Sequence, residues 1–220
     1  MQRIPEPELM DEPVQAEAYA AADFDAAHNE IITHFARVFP HYEPTGPVLD
    51  LGCGPADITV RFAHRYPDCR IDAVDGAESM LMHGRMRVKT EGLQHRVLLY
   101  RCVLPHDRLP RSAYQTILSN SLLHHLHDPA VLWDTVKRTA APEAYVFVAD
   151  LSRPDSRDQA RKLVNTYADG EAETLKRDFY NSLLAAFTPQ EVVIQLQKAN
   201  LKSLRVNSIT DRHYIVFGRL

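Results

Sequence analysis

Between residues 47 and 150 short apolar runs alternate with segments of helical periodicity, and this alternation restricts the fold more than any other feature. The runs fall at 47–54 (PVLDLGCG, a strand entering a glycine turn), 70–75, 97–103, 116–122 and 144–150. Between them the apolar spacing predicts helices at 58–66 and 77–90, and a third that Asp128-Pro129 opens and that ends near Ala140. Short strands separated by helices make βαβ units, hence a mostly parallel sheet that binds its ligand at the strands' carboxyl ends.

The flanks read differently. Residues 1–12 form an irregular arm, and the Ala-rich stretch 13–39 predicts one or two helices. Residues 152–187 are polar and helical, and Thr188-Pro189-Gln190-Glu191 is a capping box that opens a further helix. LKSLRVNS and HYIVFGR, joined by a turn around Thr210-Asp211, close the chain as two strands and imply one antiparallel edge strand. The expectation is one domain over 1–220, with lid segments at 1–40 and 152–187, a binding core at 45–150, and a closing helix and strands at 188–220.

The charge balance, 25 Lys and Arg against 29 Asp and Glu, leaves no electrostatic footprint for nucleic acid or an anionic membrane. Cys53, Cys69 and Cys102 are an odd set without metal-ligand spacing, which suits a reducing compartment. No run of apolar residues is long enough to span a membrane, and the start of the chain lacks the apolar segment of a signal peptide. The expected location is the cytoplasm.

Within the first strand and turn, Gly52-Cys53-Gly54 let a ligand approach the backbone, and the following helix turns its amide end to that ligand. Asp75 ends the second strand, about 20 residues on, where a carboxylate can accept hydrogen bonds from two ribose hydroxyls. Asp50 stands two residues before Gly52, and Asp57 occupies the place of the third glycine of a dinucleotide fingerprint. Both carboxylates disfavour a pyrophosphate and favour a nucleoside that carries a cation.

VLDLGCG, VDGAESML, ILSNSLLHHLHDP and a strand ending in VAD occur in the order and spacing of the class I methyltransferases that use S-adenosyl-L-methionine (SAM). The chain resembles these over roughly 45–150, and most of all the small-molecule group of the ubiquinone and menaquinone methyltransferases. The resemblance implies a Rossmann-like, doubly wound α/β fold with a mostly parallel seven-stranded sheet and helices on both faces. It also implies that Asp50, Gly52 and Gly54 contact the methionyl part of SAM and that Asp75 binds the ribose. Ala77 and Met80 would lie beside the adenine, Cys102 and Val103 on its other face, and Ser119, Asn120 and Ser121 under the sulfonium. Two departures stand out: Pro55-Ala56 replaces a third small residue after the turn, and Arg101-Cys102-Val103 ends the third strand where the family often has an Asp.

His124 and His125 follow the fourth strand on the ligand side of the sheet and are read either as a general base or as a structural turn. A metal is not expected, because adjacent histidines rarely face one ion and no carboxylate set completes a site. On the lid segments, Tyr19, His28, Arg177 and Asn181 are the substrate candidates and Tyr180 a further catalytic one. Arg153, Arg157 and Arg161, four apart, are either an anion-binding face or a solvated one. The expected partner is a small-molecule acceptor, with no nucleic acid and no membrane span, and no residue pattern sets an oligomeric state. The expected reaction is in-line methyl transfer to O, N or C. A non-catalytic SAM-binding protein and a nucleotide-dependent oxidoreductase of the same fold are the alternatives.

Overall fold

The protein is described here by a computed structural model covering residues 1–7 and 9–220. Seven strands, β1 (Pro47–Leu51), β2 (Arg70–Asp75), β3 (Val97–Arg101), β4 (Tyr114–Asn120), β5 (Ala140–Leu151), β6 (Arg205–Ser208) and β7 (His213–Arg219), form one sheet in the order β3-β2-β1-β4-β5-β7-β6. The pairs among β1 to β5 are parallel, and β7 runs antiparallel to both neighbours. The antiparallel strand thus belongs to an edge hairpin whose outermost member is β6.

Alternation along the strands divides the core. Val48 of β1 and Phe147 and Ala149 of β5 point into a cluster with Phe35, Phe62 and Leu81. These three belong to α2 (Asp25–Val38), α3 (Asp57–Arg65) and α4 (Glu78–Thr90). Leu49, Leu51, Val146 and Val148 point to the other face, against Leu132 and Trp133 of α5 (Ala130–Thr139) and Val192 and Leu196 of α8 (Pro189–Lys198). A period of two, read on both faces, is what a doubly covered parallel strand requires.

The remaining helices sit over the strands' carboxyl ends. α1 (Pro13–Ala21) packs Ala16 against Ala77 and Met80, while α6 (Arg157–Tyr167) and α7 (Glu173–Ala185) share a small cluster with Leu151. Among the described residues no helix is long and apolar enough to cross a membrane.

Several boundaries move for local reasons. β4 spans Tyr114–Asn120 rather than 116–122, because Ser121 takes a left-handed φ of 56° and leaves the strand. β5 begins at Ala140, before the predicted 144, through an irregular start with a register shift opposite Tyr114 and Thr116. α6 begins only at Arg157, where the Ser156 hydroxyl accepts from the Gln159 amide, so Arg153 is not on a face with Arg157 and Arg161. Arg153 is instead buried, donating to the Ala186 carbonyl at 2.8 Å and to Glu191 Oε1 at 2.6 Å. The capping box at Thr188 and Glu191 forms as the sequence predicts.

Phe35 carries α2 onto the sheet: it is 1% exposed and its ring lies 5.0 Å from Phe62 and 5.6 Å from both Tyr66 and Phe147. Phe35→Ala is expected to lower the unfolding free energy by about 3–5 kcal/mol in urea melts. A loss below about 1 kcal/mol would show that α2 lies outside the cooperative core.

Candidate active site at the carboxyl end of the sheet

The glycine turn after β1 combines a conformational and a steric requirement. Gly52 and Gly54 have φ of 73° and 50°, a region that L side chains rarely adopt. A Cβ on Gly52 would come within 2.8 Å of the Leu122 side chain, whereas one on Gly54 would meet nothing within 4 Å. Gly54 therefore faces open space. Ala56 takes a left-handed φ of 61°, so the Pro55-Ala56 departure is accommodated by an unusual backbone just before α3.

Two carboxylates, one half-buried and one buried, hold this turn. Asp75 accepts from the Gly54 amide through Oδ2 and from the Ala77 amide through Oδ1, each at 2.8 Å. Burial raises its pKa, against those amide bonds. Asp50 is 1% exposed and accepts from the Thr59 hydroxyl at 2.6 Å. Burial pushes its carboxyl up to about 6, with Thr59 opposing and Asp75 adding to the rise.

A cavity of about 830 Å³ opens over these groups. Of the residues expected at a cofactor, Asp50, Gly52, Gly54, Asp75, Met80, Cys102, Val103, Asn120 and Ser121 line it. Two do not: Ala77 is buried with its amide on Asp75, and the Ser119 hydroxyl donates to the Leu51 carbonyl at 2.9 Å beneath the floor.

Asp57, at the start of α3, is surrounded by nitrogen groups of His28, Arg61 and Arg87. His28 Nδ1 lies 2.5 Å from Oδ2, Arg61 Nε donates to Oδ2 at 2.8 Å, and Arg87 Nη1 donates to Oδ1 at 2.5 Å. Burial would raise its pKa, but the bonds from His28 and Arg61 overcome it and hold the carboxyl well below the usual range. A repulsive charge beside the ligand, as the sequence suggests, is thus largely neutralised. His28 lines the cavity, yet its ring nitrogen is committed to Asp57 and its face stacks on Phe24 at 5.0 Å.

At the opposite end, His124 Nδ1 lies 2.5 Å from Asp150 Oδ1. Asp150 also accepts from the Leu123 and Leu151 amides at 2.7 Å each. Burial lowers the pKa of His124, but Asp150 and then Glu6 outweigh it and the net shift is upward. His125 is driven down to about 3 by burial and by His124. Both imidazoles line the cavity. Glu6 Oε1 lies 3.6 Å from His124 Nε2 and 3.4 Å from His125 Nδ1. The missing carboxylate that argued against a metal is therefore supplied by the N-terminal arm, 118 residues before His124 in sequence.

On α7 the residues chosen from the sequence do not line the cavity. Leu175, Asp178, Phe179 and Ser182, spaced as one helical face, line the cavity. Arg177 and Asn181 are exposed, and Tyr180 packs into the α6–α7 cluster. Tyr19 does line the cavity, 5.0 Å from Phe24, with its hydroxyl pushed up to about 12 by burial and by Asp57. Sequence reasoning also missed Thr210, Arg212 and His213 of the edge hairpin, which line the cavity. For α7 the apolar periodicity through Leu175 and Phe179 was the available signal; for Glu6 there was none.

A family model described as a methyltransferase domain matches residues 48–143. An uncharacterized methyltransferase of Mycobacterium tuberculosis is 23% identical over 189 residues, 85% of this chain and 91% of the relative. The trans-aconitate 2-methyltransferase of Yersinia pestis is 25% identical over 130 residues, 59% of this chain and 45% of that enzyme. Among solved structures, a SAM-dependent methyltransferase from Aquifex aeolicus superimposes with a TM-score of 0.67 at 17% identity, covering 94% of this chain and 98% of its own. A plantazolicin methyltransferase in complex with a triazolic analogue and S-adenosylhomocysteine (SAH) gives a TM-score of 0.70 at 11% identity, over 94% and 92% of the two chains.

The Asp57 cluster makes stability depend on pH in a defined direction. A carboxyl whose folded pKa is depressed contributes stability above its unfolded value, near 3.9, and loses it as pH falls below that. Asp57→Asn is therefore expected to destabilise the protein at pH 7 and to flatten the acid limb of its stability curve below about pH 4. Urea melts across that range that keep the wild-type acid limb in the variant would show that the cluster carries no linkage.

Proposed function

The chain belongs to the class I SAM-dependent methyltransferases, and from that premise we propose that it methylates O, N or C of a small molecule held in the cavity at the carboxyl end of the sheet. The observation that carries this reading is that one cavity is lined both by Asp50, Gly54 and Asp75 and by His124, whose ring Asp150 holds. Its volume, about 830 Å³, lies at the upper end of small-molecule sites and leaves room for an acceptor beside the cofactor.

The residues suit SAM. Open space beside Gly54 admits the ligand to the backbone, Asp75 keeps lone pairs for ribose hydroxyls, and Asp50 offers a carboxylate to the cationic methionyl amine. Met80, Cys102 and Val103 form an apolar slot for the adenine, and Asn120 and Ser121 approach the reacting end. SAM supplies a methyl group on a sulfonium, which leaves as neutral thioether when the acceptor's electron pair takes the methyl in line. The chain's own task is to orient the acceptor and exclude water. His124, whose ring is fixed by Asp150, holds the proton where the acceptor carries one. The segments 1–40 and 152–187 serve as the lid of this one domain, and Tyr19, Asp178 and Phe179 as its acceptor-facing side chains. Three buried, unpaired cysteines support a cytoplasmic setting.

Calorimetric titration with SAM and SAH tests the cofactor site. Asp75→Ala is expected to weaken binding by about 10–100-fold, the cost of losing a hydrogen bond to a charged group. Absence of SAM binding by the folded wild type would overturn the reading. Asp50 adds a pH signature: with its carboxyl at about 6, SAM affinity is expected to weaken by up to about tenfold per pH unit below that value, and Asp50→Asn to remove the slope. Its folded pKa is raised, so the stability linked to Asp50 is present below about pH 4 and lost as pH rises through about 6. For an acceptor found by screening phenols, quinones, amines and acids for SAH release, Asp178→Ala and Phe179→Ala should raise KM for the acceptor without weakening SAM. Arg177→Ala and Asn181→Ala should change neither; the reverse pattern would show that the other face of α7 meets the acceptor.

A further inference from the structure

We propose that Glu6, His124 and His125 form a binding site for a divalent first-row metal ion, with zinc(II) the best match to the donor set. One donor atom of each residue lies within 4.8 Å of the other two. The spacings from Glu6 Oε1, 3.6 Å to His124 Nε2 and 3.4 Å to His125 Nδ1, are long for hydrogen bonds. They match the edge of a tetrahedron, about 3.4 Å, whose centre lies about 2.1 Å from each donor.

The surroundings prepare these atoms as ligands. His124 Nδ1 is tied to Asp150, so the proton sits on that nitrogen and the Nε2 lone pair faces Glu6. This is the carboxylate–histidine arrangement that orients metal-bound imidazoles, and two backbone amides anchor the carboxylate in turn. His125 Nδ1 is buried without a hydrogen-bond partner, the state of a nitrogen lacking its ligand. Neighbouring histidines face one point because they use different nitrogens, with ring centroids 4.2 Å apart and planes 35° apart.

Glu6 is held in place rather than left on a loose arm. Ser182 Oγ donates to Glu6 Oε1 at 2.9 Å, and Arg3 anchors the same arm on the carbonyls of His124 at 2.8 Å and Leu126 at 3.0 Å. Glu6 lies within electrostatic reach of two further carboxylates, Asp150 and Asp178, whose repulsion a dication would relieve. Two histidines and a glutamate leave the fourth position of zinc open, here on the cavity side. An acceptor hydroxyl bound there would be acidified by the metal and release its proton to water, since His124 Nε2 would be held by the ion. Only this consequence rests on the proposed placement of the acceptor; the site itself does not.

The test uses the full chain, stripped with chelator and titrated with zinc(II) by calorimetry and with cobalt(II) by visible absorption. One equivalent is expected to bind, with the d–d bands of a four- or five-coordinate nitrogen and oxygen site. Asp150→Asn should weaken zinc by about 10–100-fold, as outer-shell changes do, and Glu6→Gln and His125→Asn by more. Glu6→Gln should bind SAM like the wild type, which also shows that it is folded. Absence of the cobalt spectrum in the wild type, or equal zinc affinity in Glu6→Gln and His125→Asn, would overturn the proposal. Loss of SAM binding with zinc binding intact would strike the cofactor site and leave the metal site standing.

Discussion

Burying a carboxylate is costly unless hydrogen bonds replace its water, and this chain places buried or half-buried carboxylates at the ends of three parallel strands. Asp50 ends near β1 on the Thr59 hydroxyl, Asp75 ends β2 on two loop amides, and Asp150 near the end of β5 holds two more amides and His124. Each bond fixes a loop that the sheet alone would leave free. The Gly52–Gly54 turn, the start of α4 and the segment after β4 take their positions from these side chains. A parallel sheet aims all of these strand ends the same way, so the loops they hold meet around one cavity.

The helical segments outside the sheet are secured by charge as well as by packing. Asp57 joins α2, α3 and α4 through His28, Arg61 and Arg87, so α2 is coupled to the helix that follows the glycine turn. At the other end of the cavity Arg3 spans the carbonyls of His124, Leu126 and Ala185 and lies 4.0 Å over the Phe187 ring. The arm, α7 and the loop after β4 thereby become one wall. Placing an acceptor there requires both walls to hold their geometry, since in-line transfer tolerates little misalignment.

Legibility in the sequence followed the range of the interactions involved. The strands and the glycine turn were legible because each depends on a period or a short spacing, and the same spacing brings Asp50 and Asp75 to the cavity. The capping box at Thr188 was legible for the same reason. Arg177, Tyr180 and Asn181 on α7 were chosen by side-chain chemistry rather than helical periodicity, and the cavity-facing set is Leu175, Asp178, Phe179 and Ser182. His28, picked out as a substrate contact, lines the cavity, and its ring nitrogen is held by Asp57, 29 positions away.

The sequence by itself determined the α/β alternation, the place of the glycine turn and the end of the sheet where the cavity lies, since all three arise from local period and backbone conformation. Only the tertiary structure decided which face of α7 meets the cavity, that Asp57 is a structural hub, and that Glu6 reaches His124 and His125. The last of these pairs an irregular arm with a loop 118 residues away. No local propensity encodes such a contact; it exists because Arg3 and Ser182 hold the arm against surfaces that the rest of the fold assembles.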